Sequence, residues 1–570
     1  MQKEYRLTGL FLPVFIGLVV LVGGCDKPRS SSDWQPFVQE FLDSHFAAHP
    51  DFAVYQGRHE FDGQLPDWSP AGLEKERLRL HNFRDRAAAF DATGLDPAQQ
   101  FERKYLISVI DGQLFWLEKA KWPAKNPSYY SGALDPNVYV SRPYASLDVR
   151  LKAYTAYASA VPNALRQLKG NLELPLPKTY VDLAVTIFGG LASYYKDDVP
   201  PIFRSVSNDS LQDAFRAANG DAAQEMTKMT EWFKQQKETA TDDFALGADR
   251  FLEMLKSTEG VEITLPELKA AGERDLQRNL DALHAACEEL APGKTIPDCI
   301  AIVQADKPKD GPVVAAREQL TNLRQFLVDH DLVSIPGTEI AQVEESPPYQ
   351  RWNSAYIDIP GSYEKGLPSV YYIAPPDPSW SAADRNAYIP GEKDLLFTSV
   401  HEVWPGHFLQ FLHANRASSR FGLVFVGYAF AEGWAHYAEE LMWEAGLGDG
   451  DPGTHIGQLL NALLRNVRYL SAIGLHTEGM TVAESERMFR ESAFQDPGNA
   501  RQQAARGTFD PAYLNYTMGK LMIRKLRQDW TADRDGRKAW HEFHDAFLSY
   551  GGPPIPLVRQ SMLGTQEGLF

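Results

Sequence analysis

The sequence has little cysteine, no excess of positive charge and no long apolar run. It contains only 3 cysteines in 570 residues, and its formal net charge is −18 at pH 7. Nucleic-acid binding usually requires a basic patch or stripe, so this acidic balance argues against a nucleic-acid partner. The apolar run at residues 10–22 is too short for a typical membrane-spanning helix. With 44% hydrophobic and 23% charged residues, the chain has the composition of a folded globular protein.

The amino terminus has the features of a processing signal. Two basic residues, Lys3 and Arg6, precede the apolar run, which ends in Val-Gly-Gly-Cys at residues 22–25. This string resembles a bacterial lipobox, in which Cys25 is lipidated and exposed by cleavage. We therefore predict a signal peptide at 1–24, followed by the lipidated cysteine and a polar tether at 25–33. The mature protein would then be a lipoprotein of the cell envelope, anchored to the membrane on the periplasmic side. The alternative is an uncleaved anchor.

The two other cysteines are disulfide candidates. Cys287 and Cys299 are twelve residues apart, and an oxidising compartment would allow them to bridge. A loop of that size contributes about 3 kcal/mol in the chain-entropy model. The alternative is a pair of unpaired buried thiols.

Helical patterns dominate the chain. We expect a mainly α fold with two helical lobes, 34–330 and a catalytic lobe 331–570, packed as one body with a deep groove between them. The few short strands are expected near the active site, within 335–392, and segment 122–145 is expected to be a long ordered loop. The predicted helices are 34–48, 71–92, 97–120, 146–169, 209–257, 264–290, 311–330, 394–415, 427–445, 454–478, 482–491, 510–530 and 536–549.

The most informative string is His-Glu-Val-Trp-Pro-Gly-His at 401–407. Glu402, next to the first histidine, stands where the general base stands in the H-E-x-x-H motif of zinc peptidases. Two residues six apart lie about 120° apart on an unbroken helix, so His401 and His407 could not grip one ion there. Pro405 and Gly406 are the residues most able to break a helix. We predict local unwinding at 405–406 that brings His407 back beside His401. The alternative is a surface helix that ends at Pro405 and carries two structural histidines.

A second segment supplies a third ligand candidate. Glu432, His436 and Glu439 recur at helical spacing and share one face. Alanines flank that face, so a carboxylate there is either a buried group with a partner or a metal ligand. We expect Glu432 to complete a zinc site with the two histidines, while His436 and Glu439 orient the ligands by hydrogen bonds. A solvated stripe of charge is the alternative.

Both strings resemble those of a bacterial family catalogued as domain of unknown function 885, which carries H-E-x-x-P-G-H-x-L-Q and a later E-G-W-A-x-Y-A-E. That family in turn resembles the mostly helical zinc peptidases of the gluzincin type. The resemblance implies that His401, His407 and Glu432 are zinc ligands and that Glu402 is the base.

The same resemblance suggests further site residues downstream. The family often has Arg-x-x-x-Asp-x-Gly-x-His where this chain has Arg468 and His476, but Ala472 replaces the expected aspartate. In gluzincin-like peptidases a His and a Tyr often donate hydrogen bonds to the developing oxyanion, which makes His476 and Tyr516 the candidates here. Arg468 could hold a substrate carboxylate in a bidentate pair. It could equally pair with a neighbouring acid, and His476 and Tyr516 could each be an ordinary core residue.

A short strand is predicted upstream, where Pro-Ser-Val-Tyr-Tyr-Ile-Ala-Pro-Pro occupies 368–376. A strand near the metal of a helical peptidase often binds the substrate backbone as an added strand. Tyr371 or Tyr372 would then line the cleft. The alternative is a core strand with one tyrosine pointing inward.

Together these features predict zinc-dependent hydrolysis of peptide bonds in short peptides, of the carboxypeptidase or dipeptidase kind. Two alternatives remain open at this level. One is a zinc hydrolase of non-peptide amides or esters. The other is a catalytically inactive peptide-binding lipoprotein.

Overall fold

The structure, a computed structural model, describes residues 31–347, 351, 353–417 and 419–570. The predicted signal peptide, Cys25 and most of the tether lie outside the described residues. Within the described part of the chain, no helix is both long and apolar enough to span a membrane.

Helices make up most of the described chain, as predicted. The α-helices are α1 (Trp34–Ala48), α2 (Pro50–Tyr55), α3 (Pro70–Ala88), α4 (Pro97–Leu114), α5 (Trp122–Lys125), α6 (Asn137–Ser141), α7 (Leu147–Asn171), α8 (Lys178–Ser193), α9 (Val199–Phe203), α10 (Asp209–Gln236), α11 (Ala248–Glu259), α12 (Leu265–Leu290), α13 (Ile296–Ala305), α14 (Pro312–Asp329), α15 (Ala382–Tyr388), α16 (Glu392–Glu402), α17 (His407–Ala414), α18 (Arg420–Val424), α19 (Tyr428–Ala445), α20 (Pro452–Thr477), α21 (Val482–Ser492), α22 (Pro497–Phe509), α23 (Asn515–Thr531), α24 (Trp540–Leu548) and α25 (Ile555–Leu563). Two π-helical segments, Phe115–Lys119 and Tyr194–Asp198, extend α4 and α8, and shorter 3₁₀ turns include Pro511–Leu514 just before α23.

Local sequence explains many of the helix boundaries. α12 begins after a capping box, in which Thr264 accepts from the Glu267 backbone while Glu267 accepts from that of Thr264. The predicted single helix at 209–257 is wrong. The structure has two helices, α10 and α11, and Gly247 precedes the second with a φ of +81° that favours glycine.

Other helices were missed by the pattern. The longer ones are α8, α13, α22 and α25, of which the last three have a proline in the first turn, and the short helices α2, α9, α15 and α18 were missed as well. The prediction of a long loop at 122–145 is wrong in part, because α5 and α6 lie within it. Pro123 stands in the first turn of α5, where its missing N–H costs no hydrogen bond.

The few strands form one small sheet, as expected for the segment 335–392. Its strands are β1 (Ala341–Glu345), β2 (Ala355–Asp358) and β3 (Ser369–Ile373), in the order β1-β3-β2. β1 pairs with β3 in parallel, and β2 pairs with β3 antiparallel. The central strand β3 is the one predicted from sequence. β2 is an edge strand and contacts α16.

The apolar core does not divide at the predicted boundary between 34–330 and 331–570. One continuous cluster contains Leu268 and Leu323 from before that boundary and Leu409 and Leu463 from after it. A smaller cluster joins the amino-terminal helices α1, α3 and α4 to Phe421 of α18. Apolar packing therefore fixes the amino-terminal half against the helices that carry the candidate site.

Candidate metal centre

The helix break predicted at Pro405 and Gly406 is present. α16 ends at Glu402 and α17 begins at His407. The freed backbone groups are satisfied, because the Pro405 carbonyl accepts from Nε1 of Trp434 at 2.7 Å and the Gly406 N–H donates to the Val400 carbonyl at 3.0 Å. A Cβ on Gly406 would lie 1.8 Å from the His401 carbonyl oxygen. Only glycine therefore permits this close return of the chain.

The break brings the two histidines together. Their ring centroids are 4.8 Å apart, although six residues separate them in the sequence. Oε2 of Glu432 lies 3.3 Å from Nε2 of His401 and 3.3 Å from Nε2 of His407. One ligand atom from each of the three residues falls within 4.8 Å of the others. The predicted set of three side chains thus converges on one point.

Packing of α19 against α23 positions the third residue. Gly433 of α19 meets Gly519 of α23 so closely that a Cβ on Gly433 would lie 2.5 Å from the Gly519 Cα. This contact places Glu432 next to the first turns of α23. The Tyr516 ring there stacks on the ring of His401 with centroids 6.3 Å apart.

Behind the histidines lies a buried group of charged side chains. Nδ1 of His401 is 2.7 Å from Oε1 of Glu439, and Arg465 pairs with the same carboxylate at 3.1 Å. Although burial opposes its ionisation, Arg465 and His436 hold the pKa of Glu439 well below its usual range. His436 lies 3.3 Å from the other Glu439 oxygen. Glu439 therefore contacts a candidate ligand directly, whereas His436 contacts Glu439 and reaches the ligands only through it.

Glu402 faces the same space as the two histidines. It lines a cavity of about 650 Å³ together with His401, His407 and Glu432. Burial raises the pKa of Glu402, and the neighbouring charges of His407 and His401 only partly oppose that rise. A carboxyl group with a raised pKa is a stronger proton acceptor than an ordinary glutamate, as a general base requires.

The remaining cavity wall comes from several distant segments. The edge strand β2 contributes Ala355, Tyr356 and Ile357, and the turn after it contributes residues 359–362. Tyr55 and Gln56, which close α2, also line the cavity and pack directly against Gly361 of this turn. The volume is within the range of about 300–1,000 Å³ typical of small-molecule sites.

Three arginines from two helices surround the Tyr516 ring at one side of this cavity. Their guanidinium carbons lie 5.8 Å (Arg465), 4.9 Å (Arg468) and 5.9 Å (Arg506) from the ring centroid. Burial, followed by the Glu432 carboxylate, raises the pKa of Tyr516. Its hydroxyl therefore keeps its proton at neutral pH and remains a hydrogen-bond donor.

The structure corrects the role expected of His476. Its Nε2 lies 2.8 Å from the Gly507 carbonyl, and its Nδ1 accepts from the Leu246 N–H at 3.3 Å. Its ring packs between Phe244 and Phe251. Both nitrogens are bound to backbone, and the described cavity lining does not include this residue. His476 is a core residue and has no donor left for an oxyanion.

The expected roles of Tyr371 and Tyr372 are also corrected. β3 is the central strand, so its backbone pairs on both sides and cannot take up a further strand. Tyr371 is fully buried, and Tyr372 stacks on Tyr356 of β2 with centroids 5.2 Å apart. Among the described residues, the sheet tyrosine that lines the cavity is Tyr356 of β2, instead of Tyr371 or Tyr372 of β3.

Sequence reasoning missed several lining residues. Arg465 stands one helical turn before Arg468, so the i,i+3 spacing could have revealed it. Tyr356 and Arg506 give no such signal, because each reaches the cavity only through tertiary packing.

The cysteine prediction is confirmed. Cys287 and Cys299 form a disulfide that joins the end of α12 to α13. None of the candidate metal-site residues is close to these cysteines in the sequence, and the bridge closes a twelve-residue loop between the two helices. Its role is structural.

Comparisons with known proteins agree with the fold and leave the activity open. A solved structure from Shewanella oneidensis, described as a "putative lipoprotein of unknown function", matches with a TM-score of 0.77 and 22% identity over 93% of this chain and 99% of that one. Another, described as "the putative lipoprotein from Colwellia psychrerythraea", matches with a TM-score of 0.77 and 16% identity over 94% and 98%. No curated protein matches the chain. The family model described as "Bacterial protein of unknown function (DUF885)" matches residues 50–562. This chain is therefore a member of the DUF885 family of bacterial proteins.

Proposed function

We propose that this protein is a zinc-dependent hydrolase that cleaves peptide bonds in short peptides at the cell envelope. The observation that carries the proposal is the convergence of His401, His407 and Glu432, with Glu402 beside them on the same cavity. Two imidazoles and a carboxylate are the protein ligands of hydrolytic zinc sites of the thermolysin kind.

The donor atoms present fit such an ion. Because Glu439 is ionised and lies 2.7 Å from Nδ1 of His401, the proton between them belongs on Nδ1, which leaves the Nε2 lone pair free. Oε2 of Glu432 forms no hydrogen bond although it is buried. A buried carboxylate oxygen without a hydrogen bond is costly, and coordination to a cation would satisfy it. His401, His407 and Glu432 would hold the ion.

The chemistry then follows from the positions of two further side chains. A bound zinc ion would supply Lewis acidity for water activation and carbonyl polarisation. Glu402 would accept the proton of the attacking water and pass it to the leaving nitrogen. Tyr516 would donate a hydrogen bond from its hydroxyl to the oxygen on which negative charge develops, a contact whose loss typically costs about 2.7–4 kcal/mol of transition-state stabilisation.

The edge strand β2 favours an extended peptide as the substrate. One edge of β2 pairs with β3, and its residues 355–357 line the cavity. The other edge offers backbone N–H and C=O groups that an added strand can pair with. This second observation favours a peptide over a non-peptide amide or ester, because only a peptide repeats the matching groups.

In the proposed function the candidate metal-site residues would play the parts that their counterparts play in gluzincin-type peptidases, in which a helix carries two histidines and the base while a second helix carries the glutamate ligand. Here the two histidines lie on consecutive helices, α16 and α17, instead of one. The helix break supplies the geometry that an i,i+4 spacing would supply in an unbroken helix.

The lipobox ending at Cys25 supports an envelope location, with the lipid on Cys25 as the membrane anchor. The two similar solved structures described above are also named as lipoproteins. A peptidase held in this way would act on peptides that reach the periplasmic side of the membrane.

The test is a digest of a mixed peptide library by the zinc-loaded protein, with and without a chelator. Cleavage that the chelator abolishes and zinc restores is expected. Glu402→Gln should bind zinc normally and lose turnover, whereas Glu491→Gln, an equal change at an exposed position, should keep both. Zinc bound in only substoichiometric amounts, with no cleavage on adding more, would favour a peptide-binding lipoprotein without catalytic activity.

A further inference from the structure

The three arginines around Tyr516 differ in one respect that points to the substrate. Arg465 pairs with Glu439 at 3.1 Å. Arg506 pairs with Asp510 at 2.9 Å and donates to the Tyr428 hydroxyl at 3.0 Å. Each of these two charges is therefore neutralised by a carboxylate of the chain.

Arg468 has no such partner. Its Nε donates to Oε1 of Gln503 at 2.9 Å, which is a neutral acceptor. Among the described residues no carboxylate oxygen lies within 4.0 Å of its guanidinium. This excludes the alternative of a neighbouring acid in the described part of the chain.

The cost of this arrangement is high, because the residue is only 8% exposed. A buried cation without a counter-ion is strongly unfavourable. Burial, together with Arg506, lowers the pKa of Arg468. Its side chain nevertheless lines the cavity, so a ligand that enters the cavity can supply the missing charge.

We propose, on the basis of the peptidase function above, that Arg468 binds the free C-terminal carboxylate of the substrate, so that the enzyme removes one or two residues from the C-terminal end. A guanidinium presents two parallel N–H groups that match a carboxylate in a bidentate pair. A single uncompensated cation matches the single negative charge that every unmodified peptide carries at its C terminus.

The position of Arg468 limits how much of the substrate is released. The Tyr516 ring centroid lies 6.3 Å from the ring of His401 and 4.9 Å from the guanidinium carbon of Arg468. The guanidinium is therefore at most the sum of these distances, about 11 Å, from the ring of His401. An extended chain advances about 3.3–3.6 Å per residue. After allowance for the guanidinium–carboxylate contact itself, this span holds one residue or two.

The experiment compares matched peptides that differ only in their C terminus. One has a free carboxylate, the second a carboxamide, and the third a carboxamide with a glutamate as its last residue. For the zinc-loaded wild type we expect kcat/KM to fall about 100-fold from the acid to the amide, as suits a charge-assisted bidentate contact. Cleavage of the acid peptide should release its last residue or its last dipeptide, together with the correspondingly shortened peptide, and no other products.

Variants assign that preference to one side chain. Arg468→Gln should reduce the ratio between acid and amide to near one. Arg468→Lys keeps the positive charge but loses the two parallel N–H groups of the guanidinium, so it should keep only part of the acid-to-amide ratio. Arg490→Gln makes the same change at an exposed position and should keep the full ratio. Thermal unfolding of each variant shows whether it is folded.

A binding measurement separates this inference from the proposed activity. Titration of the zinc-loaded Glu402→Gln protein with the acid and amide peptides reports recognition without turnover. If acid-selective binding is present and Arg468→Gln abolishes it, while the wild type cleaves no peptide, the peptidase function fails and the carboxylate site stands. Equal cleavage and binding of acid and amide would overturn the carboxylate site and leave the peptidase. If the amide peptide ending in glutamate matches the acid peptide, a side-chain carboxylate is the ligand, and the C-terminal assignment is wrong.

Discussion

Nδ1 of His401 lies 2.7 Å from Oε1 of Glu439, and the Glu439 side chain has no exposed surface. The contact fixes the orientation of the imidazole and holds its proton on the nitrogen that faces away from the cavity. Nε2 is then directed toward Glu432 and His407. A carboxylate behind a ligating histidine is a recurrent feature of zinc sites and raises the basicity of the ligand.

We therefore predict that Glu439→Gln weakens zinc binding about 10–100-fold. The amide keeps the size of the side chain but loses the charge that holds the proton on Nδ1. A competition titration against a chromogenic chelator measures the affinity. Glu491→Gln is the matched control, and an affinity unchanged in Glu439→Gln would show that the contact does not support the ligand.

Gly406 gives a second prediction, because a Cβ there would lie 1.8 Å from the His401 carbonyl oxygen. Relief of that overlap requires the chain between the two histidines to move. Gly406→Ala should lower the free energy of unfolding by about 1–3 kcal/mol, as overpacking typically does, and should abolish zinc binding. Denaturant unfolding and zinc content measure the two effects.

The matched control for Gly406 is Gly220, in the exposed part of α10, where a Cβ would meet nothing within 4 Å. Gly220→Ala should leave zinc binding intact and stabilise the protein by up to about 1 kcal/mol, because alanine favours a helix interior. If Gly406→Ala binds zinc as tightly as this control, the glycine is not needed for the approach of the two histidines.

The convergence of the candidate metal-site residues could be predicted from the sequence because their signals are local. Pro405 and Gly406 predict a helix break, and they lie between the two histidines in the sequence. Glu432, His436 and Glu439 repeat at helical spacing within three turns. The caps of α12, such as Thr264 with Glu267, are local in the same sense, so its start could be placed within a residue.

The errors arise where the deciding contact is remote in the sequence. No sequence pattern around His476 predicts that its ring nitrogens form hydrogen bonds with the backbone of Leu246 and Gly507 instead of facing the cavity. The order of strands in the sheet cannot be predicted from local sequence either. The sequence therefore indicated β3 as the strand beside the cavity, whereas the strand that lines it is the edge strand β2. Arg506 joins the cavity only because α22 packs against α20.

The hydroxyl of Tyr516 supports a third prediction. It keeps its proton at neutral pH and lies on the cavity beside His401, so Tyr516→Phe removes one donor and little volume. We expect kcat to fall about 10²–10³-fold, as for loss of an oxyanion donor, with little change in KM or zinc content. Steady-state kinetics on a cleaved peptide measures this. A rise in KM with kcat unchanged would contradict a role in the transition state.

His476→Gln is the informative comparison for Tyr516→Phe, since both residues were candidates for the same role. His476 bonds to the backbone of two other segments, so its replacement should lower the free energy of unfolding by about 1–3 kcal/mol. The kcat of His476→Gln should be close to that of the wild type. A loss of kcat as large as that of Tyr516→Phe, at full stability, would reinstate His476 as a donor.

A fourth prediction concerns His59, which joins the amino-terminal region to the cavity wall. Its two ring nitrogens lie 3.0 Å from Asp62 and 3.0 Å from Glu364, and its ring stacks on Tyr144 at 3.6 Å. Burial alone would lower the pKa of His59, but the hydrogen bonds to Asp62 and Glu364 raise it to about 9. Glu364 lies two residues after the wall segment 359–362, so this ion pair ties that wall to the amino-terminal region.

The raised pKa makes the stability depend on pH in a defined direction. Protonated His59 is favoured in the folded state, so its stabilisation is fully present below about pH 6.5, decreases as the pH rises, and is lost above about pH 9. After a discount for partial exposure, the effect is about 2 kcal/mol. Urea unfolding at pH 6, 7.5 and 9.5 should show a difference between wild type and His59→Gln that is largest at the lowest pH and vanishes at the highest. His284→Gln, at an exposed position, should show no such trend, and a difference for His59→Gln that stays constant with pH would exclude a charged His59 as its source.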